Sequence, residues 1–248
     1  MNPLKIVFWD LDGTIADTEL NGHRVAYNSA FKEYSLDWNW NRKLYSDLLN
    51  IGGGKNRIRF FAKQKELILS NKDINYIYNI KQKYYQSLID NDEIKPRIGV
   101  IRLVNELYSR NIKQWIVTTS GRDSSFHLIS RYFSDNVNPF SGYICGEDIL
   151  RHKPDPEAYK LALTKSNSTT STSIVIEDSL IGLKAATSAN LKCVVTLSPW
   201  KKNITEEYKE ASLVLDSLGD IDYEAKCLHG YLGCSMLNYK ALVSTINC

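Results

Sequence analysis

The feature of this 248-residue sequence that most limits its fold is an alternation of short apolar runs with longer amphipathic segments after residue 95. Runs that are apolar along their whole length predict strands buried on both faces, which is typical of parallel sheets. Helical segments between successive strands favour the same arrangement. We therefore predict an α/β fold, a Rossmann-like parallel sheet with helices on both faces, whose strands lie near residues 6–9, 114–117, 142–145, 173–176, 193–196 and 213–215.

Residues 17–94 interrupt this alternation. Their apolar side chains recur at intervals of three and four residues, with no strand pattern, which predicts a small bundle of helices. We expect this segment to be a helical cap domain inserted after the first strand. The Rossmann-like core would then comprise residues 1–16 and 95–222.

The last stretch, residues 223–248, is predicted as a C-terminal extension. Its apolar residues suggest a packed helix, and they are Leu228, Tyr231, Leu232, Met236 and Leu237.

The composition excludes several classes of function. A net charge of +3, from 31 basic and 28 acidic side chains, gives no sign of binding to nucleic acid or a membrane surface. The five cysteines form no CxxC pair, which predicts reduced thiols in a cytosol-like compartment. We find no targeting segment before the first strand and no apolar run near the roughly 20 residues of a membrane span. These observations predict a cytoplasmic protein without nucleic-acid or membrane partners. We also expect it to be a monomer.

Two carboxylates follow the first predicted strand directly. Asp10 and Asp12 are two residues apart, and side chains at that spacing point to the same side of a strand. Gly13 allows a close turn, and Thr14 offers a hydroxyl group to a bound anion. The alternative interpretation of these residues is an acidic surface turn after a strand.

Polar residues also follow the next strands. In parallel sheets of this type, ligands bind outside the carboxyl ends of the strands, so these residues are expected to share one site. The candidates are Thr118, Thr119 and Ser120, then Gly146-Glu147-Asp148 and Lys153, and finally Glu177 and Asp178. Considered singly, Thr118 is an ordinary strand-end residue, Lys153 a solvated charge and Glu177-Asp178-Ser179 the N-cap of a helix.

The expected site contains four carboxylates, those of Asp10, Asp12, Glu177 and Asp178. Their mutual repulsion predicts a divalent cation with oxygen ligands, and Mg²⁺ fits that description.

Hydroxyl and ammonium donors beside such a metal are typical of phosphoryl transfer. Asp10 would attack phosphorus as the nucleophile, and Asp12 would act as general acid and then as general base. Lys153 and Thr118 would hold the phosphoryl oxygens. Thr14, Thr119 and Ser120 would contribute further contacts to the substrate.

These motifs, in this order, resemble those of the haloacid dehalogenase-like hydrolase superfamily. They are Asp10-Leu-Asp12-Gly-Thr14, Thr118, Lys153-Pro154 and Glu177-Asp178-Ser179 with Gly182, the last being typical of the β-phosphoglucomutase-like subgroup. The resemblance covers residues 4 to about 216. It implies a Rossmann-like core with a helical cap. It also implies a metal held by Asp10, Asp178 and the backbone carbonyl of Asp12.

The segments Asp17-Thr18-Glu19, His23-Arg24, Asp37-Trp38-Asn39-Trp40 and Gly53-Gly54-Lys55-Asn56-Arg57 further resemble the CbbY family. CbbY proteins are phosphatases of xylulose 1,5-bisphosphate, an inhibitory by-product of Rubisco. The resemblance implies that Glu19, His23, Lys55 and Arg57 bind a sugar bisphosphate. Trp9, where the family usually has a small residue or Phe, departs from the pattern.

Three other functions stay open at the level of sequence. A β-phosphoglucomutase or a generalist sugar-phosphate phosphatase would use the same core. A signalling receiver domain also phosphorylates an Asp beside Mg²⁺ and Lys on a doubly wound sheet. The length of the chain, the inserted cap and the position of Asp12 argue against the receiver.

Overall fold

The computed structural model describes residues 3–49, 51–133, 138–198 and 204–247. The chain forms two compact units: Met1–Asp17 with Pro96–Cys248, and Thr18–Lys95. The bounds of the second unit each lie one residue from those of the predicted cap, residues 17–94. The C-terminal extension belongs to the first unit and does not form a unit of its own.

The first unit is organised around one sheet, in the order β3-β2-β1-β4-β5-β6-β7. Neighbouring strands are parallel except for β6 and β7, which are antiparallel. The predicted α/β fold is therefore confirmed. Within the described residues the strands are β1 Ile6–Trp9, β2 Lys113–Val117, β3 Gly142–Ile144, β4 Ser173–Glu177, β5 Lys192–Thr196, β6 Leu213–Leu215 and β7 Cys227–His229.

No helix of the described residues is both long and apolar enough to cross a bilayer.

The helices fall into two groups, one in each unit. The second unit contains α1 Arg24–Glu33, preceded by a π-helical turn at Glu19–His23, then α2 Arg42–Leu48, α3 Gly54–Gln64 and α4 Asn71–Asp90. The first unit contains α5 Val100–Ser109, α6 Arg122–Tyr132, α7 Glu157–Ser166, α8 Leu180–Ser188 and α9 Tyr239–Asn247.

An aromatic cluster forms the core of the second unit. Trp40 is fully buried and packs its ring against those of Tyr27, Phe31 and Phe61. Asn28 on α1 fixes the Trp40 backbone by accepting from its N–H at 2.8 Å and donating to its carbonyl at 3.1 Å. The loop between α1 and α2 is thereby held against the helices.

The central strand β1 carries an unusual buried group, the indole of Trp9. The Trp9 Nε1–H donates to Gln114 Oε1 at 3.0 Å, and the Gln114 amide donates to the Val104 carbonyl at 3.0 Å. Both side chains are fully buried. A buried indole N–H needs an acceptor, and Gln114 on the neighbouring strand β2 supplies it for Trp9.

The helix predicted over Leu228–Leu237 is wrong. Residues 227–229 form β7, a loop follows, and the helix of the extension, α9, begins only at Tyr239. Gly230 and Gly233 adopt φ angles of 84° and 72°, which are incompatible with a continuous right-handed helix. Of the apolar residues in this segment, Leu232 and Leu237 are buried, whereas Leu228 and Tyr231 are exposed.

We expect Gln114→Leu to lower the free energy of unfolding by about 1–3 kcal/mol, because it leaves the buried Trp9 N–H without an acceptor. Urea denaturation would measure this change. Gln86→Leu, on the exposed surface of α4, is the matched control and should change stability little. Equal stability of the two variants would contradict the structural role given to Gln114.

Candidate active site

The pairing of β1 with β4 creates the centre of the site. Trp9 is in register with Ile176, so the next residues along the two strands, Asp10 and Glu177, become neighbours. The Asp10 N–H donates to the Ile176 carbonyl at 3.0 Å, which extends the ladder by one residue. Parallel strands with matched ends thus bring together two carboxylates that are 167 residues apart in the sequence.

The ammonium of Lys153 lies between these carboxylates. Its Nζ donates to Asp10 Oδ1 and Glu177 Oε1, both at 2.7 Å, and to the Val117 carbonyl at 2.8 Å. The Lys153 side chain is only 6% exposed. All three of its hydrogens are therefore used, and the ammonium is fixed beside the predicted nucleophile.

Glu177 is in turn held by a residue that the sequence analysis missed. The hydroxyl of Tyr159, on α7, donates to Glu177 Oε1 at 2.6 Å, and both side chains are almost fully buried. A Cβ at Gly182 would lie 1.9 Å from the Glu177 carboxylate, so only glycine fits at that position on α8. An aromatic residue in a predicted helix is expected to pack in the core. No sequence signal indicated that Tyr159 would contact the site.

Burial and mutual electrostatic interaction shift the pKa values of Asp10, Glu177 and Lys153. Burial, and then the negative charge of Glu177, raise the pKa of Asp10 from its ordinary 3.8 to about 7, against the opposing effect of Lys153. Burial likewise raises the pKa of Glu177. Burial disfavours the Lys153 ammonium, but the two carboxylates outweigh that effect and raise its pKa. The lysine is consequently charged throughout the neutral range, while Asp10 is easily protonated when no other cation is present.

Asp12 faces a different set of partners. The Ser120 hydroxyl donates to Asp12 Oδ2, and the Thr118 hydroxyl lies 3.5 Å from the same oxygen. Thr118 also accepts from the Ser120 N–H at 3.0 Å, which fixes the turn after β2. Thr118 and Ser120 therefore contact the predicted acid–base residue, whereas Thr119 between them is exposed and makes no such contact.

Asp178 lies against the turn after β1 that carries Gly13, which we call the nucleophile loop. Its Oδ2 accepts from the Ser198 hydroxyl, and a Cβ at Gly13 would lie 2.3 Å from that same oxygen. Gly13 also has a φ of 88°, so both the turn and the close approach require glycine. Ser198 was not predicted, although it follows β5 and the rule used for the other strand ends would have found it.

The loop that carries Gly13 is fixed by Arg97. The Arg97 guanidinium donates to the carbonyls of Gly13, Thr196 and Leu197 at 2.5–2.8 Å, and to that of Asp216 at 3.3 Å. One side chain thus ties the nucleophile loop to the ends of β5 and β6. Sequence patterning gave no indication of this role.

Three predicted residues of the core have other roles in the structure. Thr14 is fully buried, and its hydroxyl donates to Asp10 Oδ2 at 2.9 Å, so it orients the nucleophile instead of facing a substrate. Asp148 pairs with Arg122, and the Glu147 carboxylate accepts from the Arg122 N–H at 3.1 Å. Glu147 and Asp148 therefore anchor the start of α6 and do not join the carboxylate cluster.

The predicted residues of the cap lie among aromatic side chains. Glu19 accepts from the buried Tyr45 hydroxyl at 2.6 Å, and the Arg57 guanidinium lies 6.0 Å from the Tyr45 ring centre. Arg57 Nε also donates to the Ile51 carbonyl at 3.0 Å. Lys55 lies over the ring of Tyr78, at 5.3 Å from its centre.

His23 contacts a second lysine of the cap that the sequence analysis missed. Lys81 is 3% exposed, and its Nζ lies 2.9 Å from His23 Nδ1. The ammonium also lies about 5 Å from the ring centres of Tyr27 and Tyr85. Lys81 falls on the apolar face of α4, where a helical pattern gives no reason to expect a charge.

Three of the four predicted metal ligands lie together. Oxygens of Asp10, Glu177 and Asp178 are all within 4.8 Å of one another, and these side chains are buried. The Asp12 carboxylate is not part of this group. Buried carboxylate oxygens suit a divalent cation, which would favour their ionised forms, so the cluster could bind a metal ion.

The sequence profile of the family described as haloacid dehalogenase-like hydrolase matches residues 7–196, which include every core residue of this site except Ser198. The chain belongs to this family. As a member with CbbY relatives, it is a phosphatase.

Curated relatives support the assignment over most of the chain. Protein CbbY of Cereibacter sphaeroides is 32% identical over 219 residues, which are 88% of this chain and 94% of the relative. A CBBY-like protein of Arabidopsis thaliana is 31% identical over 232 residues, which are 88% of this chain and 70% of the relative.

Solved structures agree. CbbY from Rhodobacter sphaeroides in complex with phosphate is 30% identical, with a TM-score of 0.80, and the match covers 88% of this chain and 96% of that one. A variant of the same protein in complex with xylulose-(1,5)bisphosphate is 29% identical, with the same TM-score and coverage.

We expect Tyr159→Phe to lower kcat for p-nitrophenyl phosphate about threefold to tenfold with a smaller change in KM. The variant loses one hydrogen bond that orients Glu177 and, through it, Lys153, a change of about 1 kcal/mol. Tyr143→Phe, which removes a hydroxyl bonded to exposed Asn138, is the control. A Tyr159→Phe enzyme as fast as the control would rule out this positioning role.

The raised pKa of Asp10 predicts a pH dependence for metal-free protein. Because the folded pKa of about 7 exceeds the ordinary 3.8, stability is greatest below the lower value and falls as the pH rises through the higher one. Between pH 5 and pH 8 we expect a loss of about 3 kcal/mol. Urea denaturation in EDTA would measure it, and Asp10→Asn should remove most of this slope. A slope unchanged in that variant would contradict the assignment to Asp10.

Proposed function

We propose that the protein is a Mg²⁺-dependent sugar-bisphosphate phosphatase that converts xylulose 1,5-bisphosphate to xylulose 5-phosphate. The observation that carries the chemistry is the arrangement around Asp10, whose two oxygens accept hydrogen bonds from Lys153 and Thr14. These donors favour one orientation of a buried, ionisable carboxylate, as a nucleophile requires. The similarity to CbbY, over 88% of the chain, supports the choice of substrate.

In the first half of the proposed reaction, a carboxylate oxygen of Asp10 attacks phosphorus and the bond from phosphorus to the sugar oxygen breaks. Asp12 donates a proton to that leaving oxygen. The products of this half are an aspartyl-phosphate on Asp10 and the dephosphorylated position of the sugar.

In the second half, Asp12 removes a proton from water, whose oxygen attacks the phosphorus of the aspartyl-phosphate. The bond from phosphorus to Asp10 breaks, which releases phosphate and restores the carboxylate. Ser120 and Thr118 hold the Asp12 carboxylate, and Lys153 supplies positive charge for the phosphoryl oxygens. We assign Thr119 and Ser120 as further contacts of the phosphoryl group.

Asp10 and Asp178, with the backbone carbonyl of Asp12, would hold Mg²⁺. When bound, this ion neutralises the developing charge of the transferred phosphoryl group. Glu177 is a less direct candidate, because its Oε1 already accepts from Lys153 and Tyr159.

Recognition of the phosphate that does not react is assigned to the cap. Lys55, Arg57 and Lys81 supply positive charge, and Glu19 and His23 supply hydrogen-bonding groups for sugar hydroxyls. Lys81 extends the predicted set because it is a buried cation that contacts His23 directly.

The proposal is tested by phosphate release with Mg²⁺ from xylulose 1,5-bisphosphate, ribulose 1,5-bisphosphate and β-glucose 1-phosphate. We expect the first substrate to be preferred by at least about tenfold in kcat/KM, a difference of about 1.4 kcal/mol in transition-state binding. Asp10→Asn should abolish release, because the amide lacks the nucleophilic oxygen.

Equal rates on the three compounds would be consistent with the phosphatase mechanism but would exclude a preference for xylulose 1,5-bisphosphate. Conversion of β-glucose 1-phosphate to glucose 6-phosphate would instead identify a mutase. Phosphate release that persists in Asp10→Asn would contradict the assignment of Asp10 as the nucleophile.

A further inference from the structure

A cavity of about 340 Å³ lies at the amino ends of β1, β2 and β4. Asp10 follows the opposite end of β1, five residues from Lys5, so roughly 16 Å of strand separate the cavity from the nucleophile. The volume is at the low end for sites of small molecules. The mechanism proposed above makes no use of this cavity. Its lining comes from three segments of the first unit: residues 4–6, residues 111–113, and residues 166–169 with Thr172.

The charge of this lining is one-sided. Lys5 and Lys113 both contribute to it, and their backbones are joined by a hydrogen bond of 3.0 Å from the Lys113 N–H to the Lys5 carbonyl. No Asp or Glu lines the cavity. Within the described part of the chain, neither lysine forms an ion pair or side-chain hydrogen bond.

Two helices end at the cavity, and their negative dipole ends must be weighed against the lysines. The carbonyls at the end of α5 accept from the N–H groups of Asn111 and Ile112, and those at the end of α7 accept from Asn167 and Ser168. Each helix end carries about half a negative charge, so the two together offset about one of the two lysine charges. A net positive charge of about one remains.

The uncharged groups of the lining favour a phosphorylated ligand. Asn111 and Asn167 adopt left-handed backbone conformations at matching turns, and both side chains are exposed. Hydroxyl groups of the 166–172 turn add further donors and acceptors, including the pair Ser166 and Ser168 at 2.7 Å. Amides and hydroxyls beside two ammonium groups are suited to phosphoryl oxygens.

We propose that this cavity is a second anion site, separate from the active site, which binds the phosphoryl group of a small molecule. Lys5 and Lys113 provide the charge, and the amides and hydroxyls of the two turns provide orientation. A sugar phosphate and free inorganic phosphate share this chemistry.

The test is a ¹H–¹⁵N NMR titration of the full chain at constant ionic strength with inorganic phosphate, ribose 5-phosphate or ribose. We expect saturable shifts of the amides at 111–113 and 166–172 with both phosphorylated probes and none with ribose. Tighter binding of ribose 5-phosphate would identify a sugar phosphate as the ligand class, and equal affinities would identify the free anion.

The double variant Lys5→Gln with Lys113→Gln should weaken this binding by about tenfold, since two ion pairs are lost. Lys160→Gln with Lys240→Gln, which removes two exposed lysines outside the cavity, is the charge-matched control and should bind as the parent does. The amides of Gly13 and Ser120 report phosphate at the active site separately and should titrate alike in all forms. Absent local shifts, or equal weakening in both double variants, would overturn the proposal.

Discussion

The ionic contact of Lys153 with Asp10 and Glu177 is the interaction on which the site depends. Three charges are buried together, and each would be costly alone. The arrangement persists because every hydrogen of the ammonium has an acceptor and Glu177 has a second donor in Tyr159. Removing one partner would leave an uncompensated buried charge, so the neighbouring positions are tightly constrained.

The sheet supplies the geometry for this contact. Parallel pairing in matched register places the ends of β1, β2 and β4 at one edge, where their following residues converge. The turns there are fixed by backbone-directed bonds, those of Arg97 above all. The opposite ends of the same strands carry Lys5 and Lys113. Carboxylates around the single ammonium of Lys153 therefore lie beyond one end of β1, and ammonium groups without carboxylates lie at the other.

Sequence patterning worked best where one physical rule decides the outcome. Continuous apolar runs located β1 to β6 to within one residue at each end, because burial on both faces leaves few other possibilities. It failed in the extension, where the apolar residues from Leu228 to Leu237 fit a helix by spacing but two glycines with positive φ exclude one. It also missed Tyr159 and Lys81, since a polar group on the buried face of a helix leaves no periodic signal.

The sequence by itself determined the fold class, the strand ends at which chemistry could lie and the identity of Asp10, Asp12, Lys153 and Asp178 as candidates. Only the tertiary structure decided how these groups divide their work. Glu177 contacts Lys153, and Thr14 contacts Asp10. The Asp12 carboxylate is held by Ser120 and lies apart from the other three carboxylates. The physical reason is that motif spacing specifies which residues reach one edge of the sheet, whereas hydrogen-bond partners depend on distances of a few tenths of an ångström.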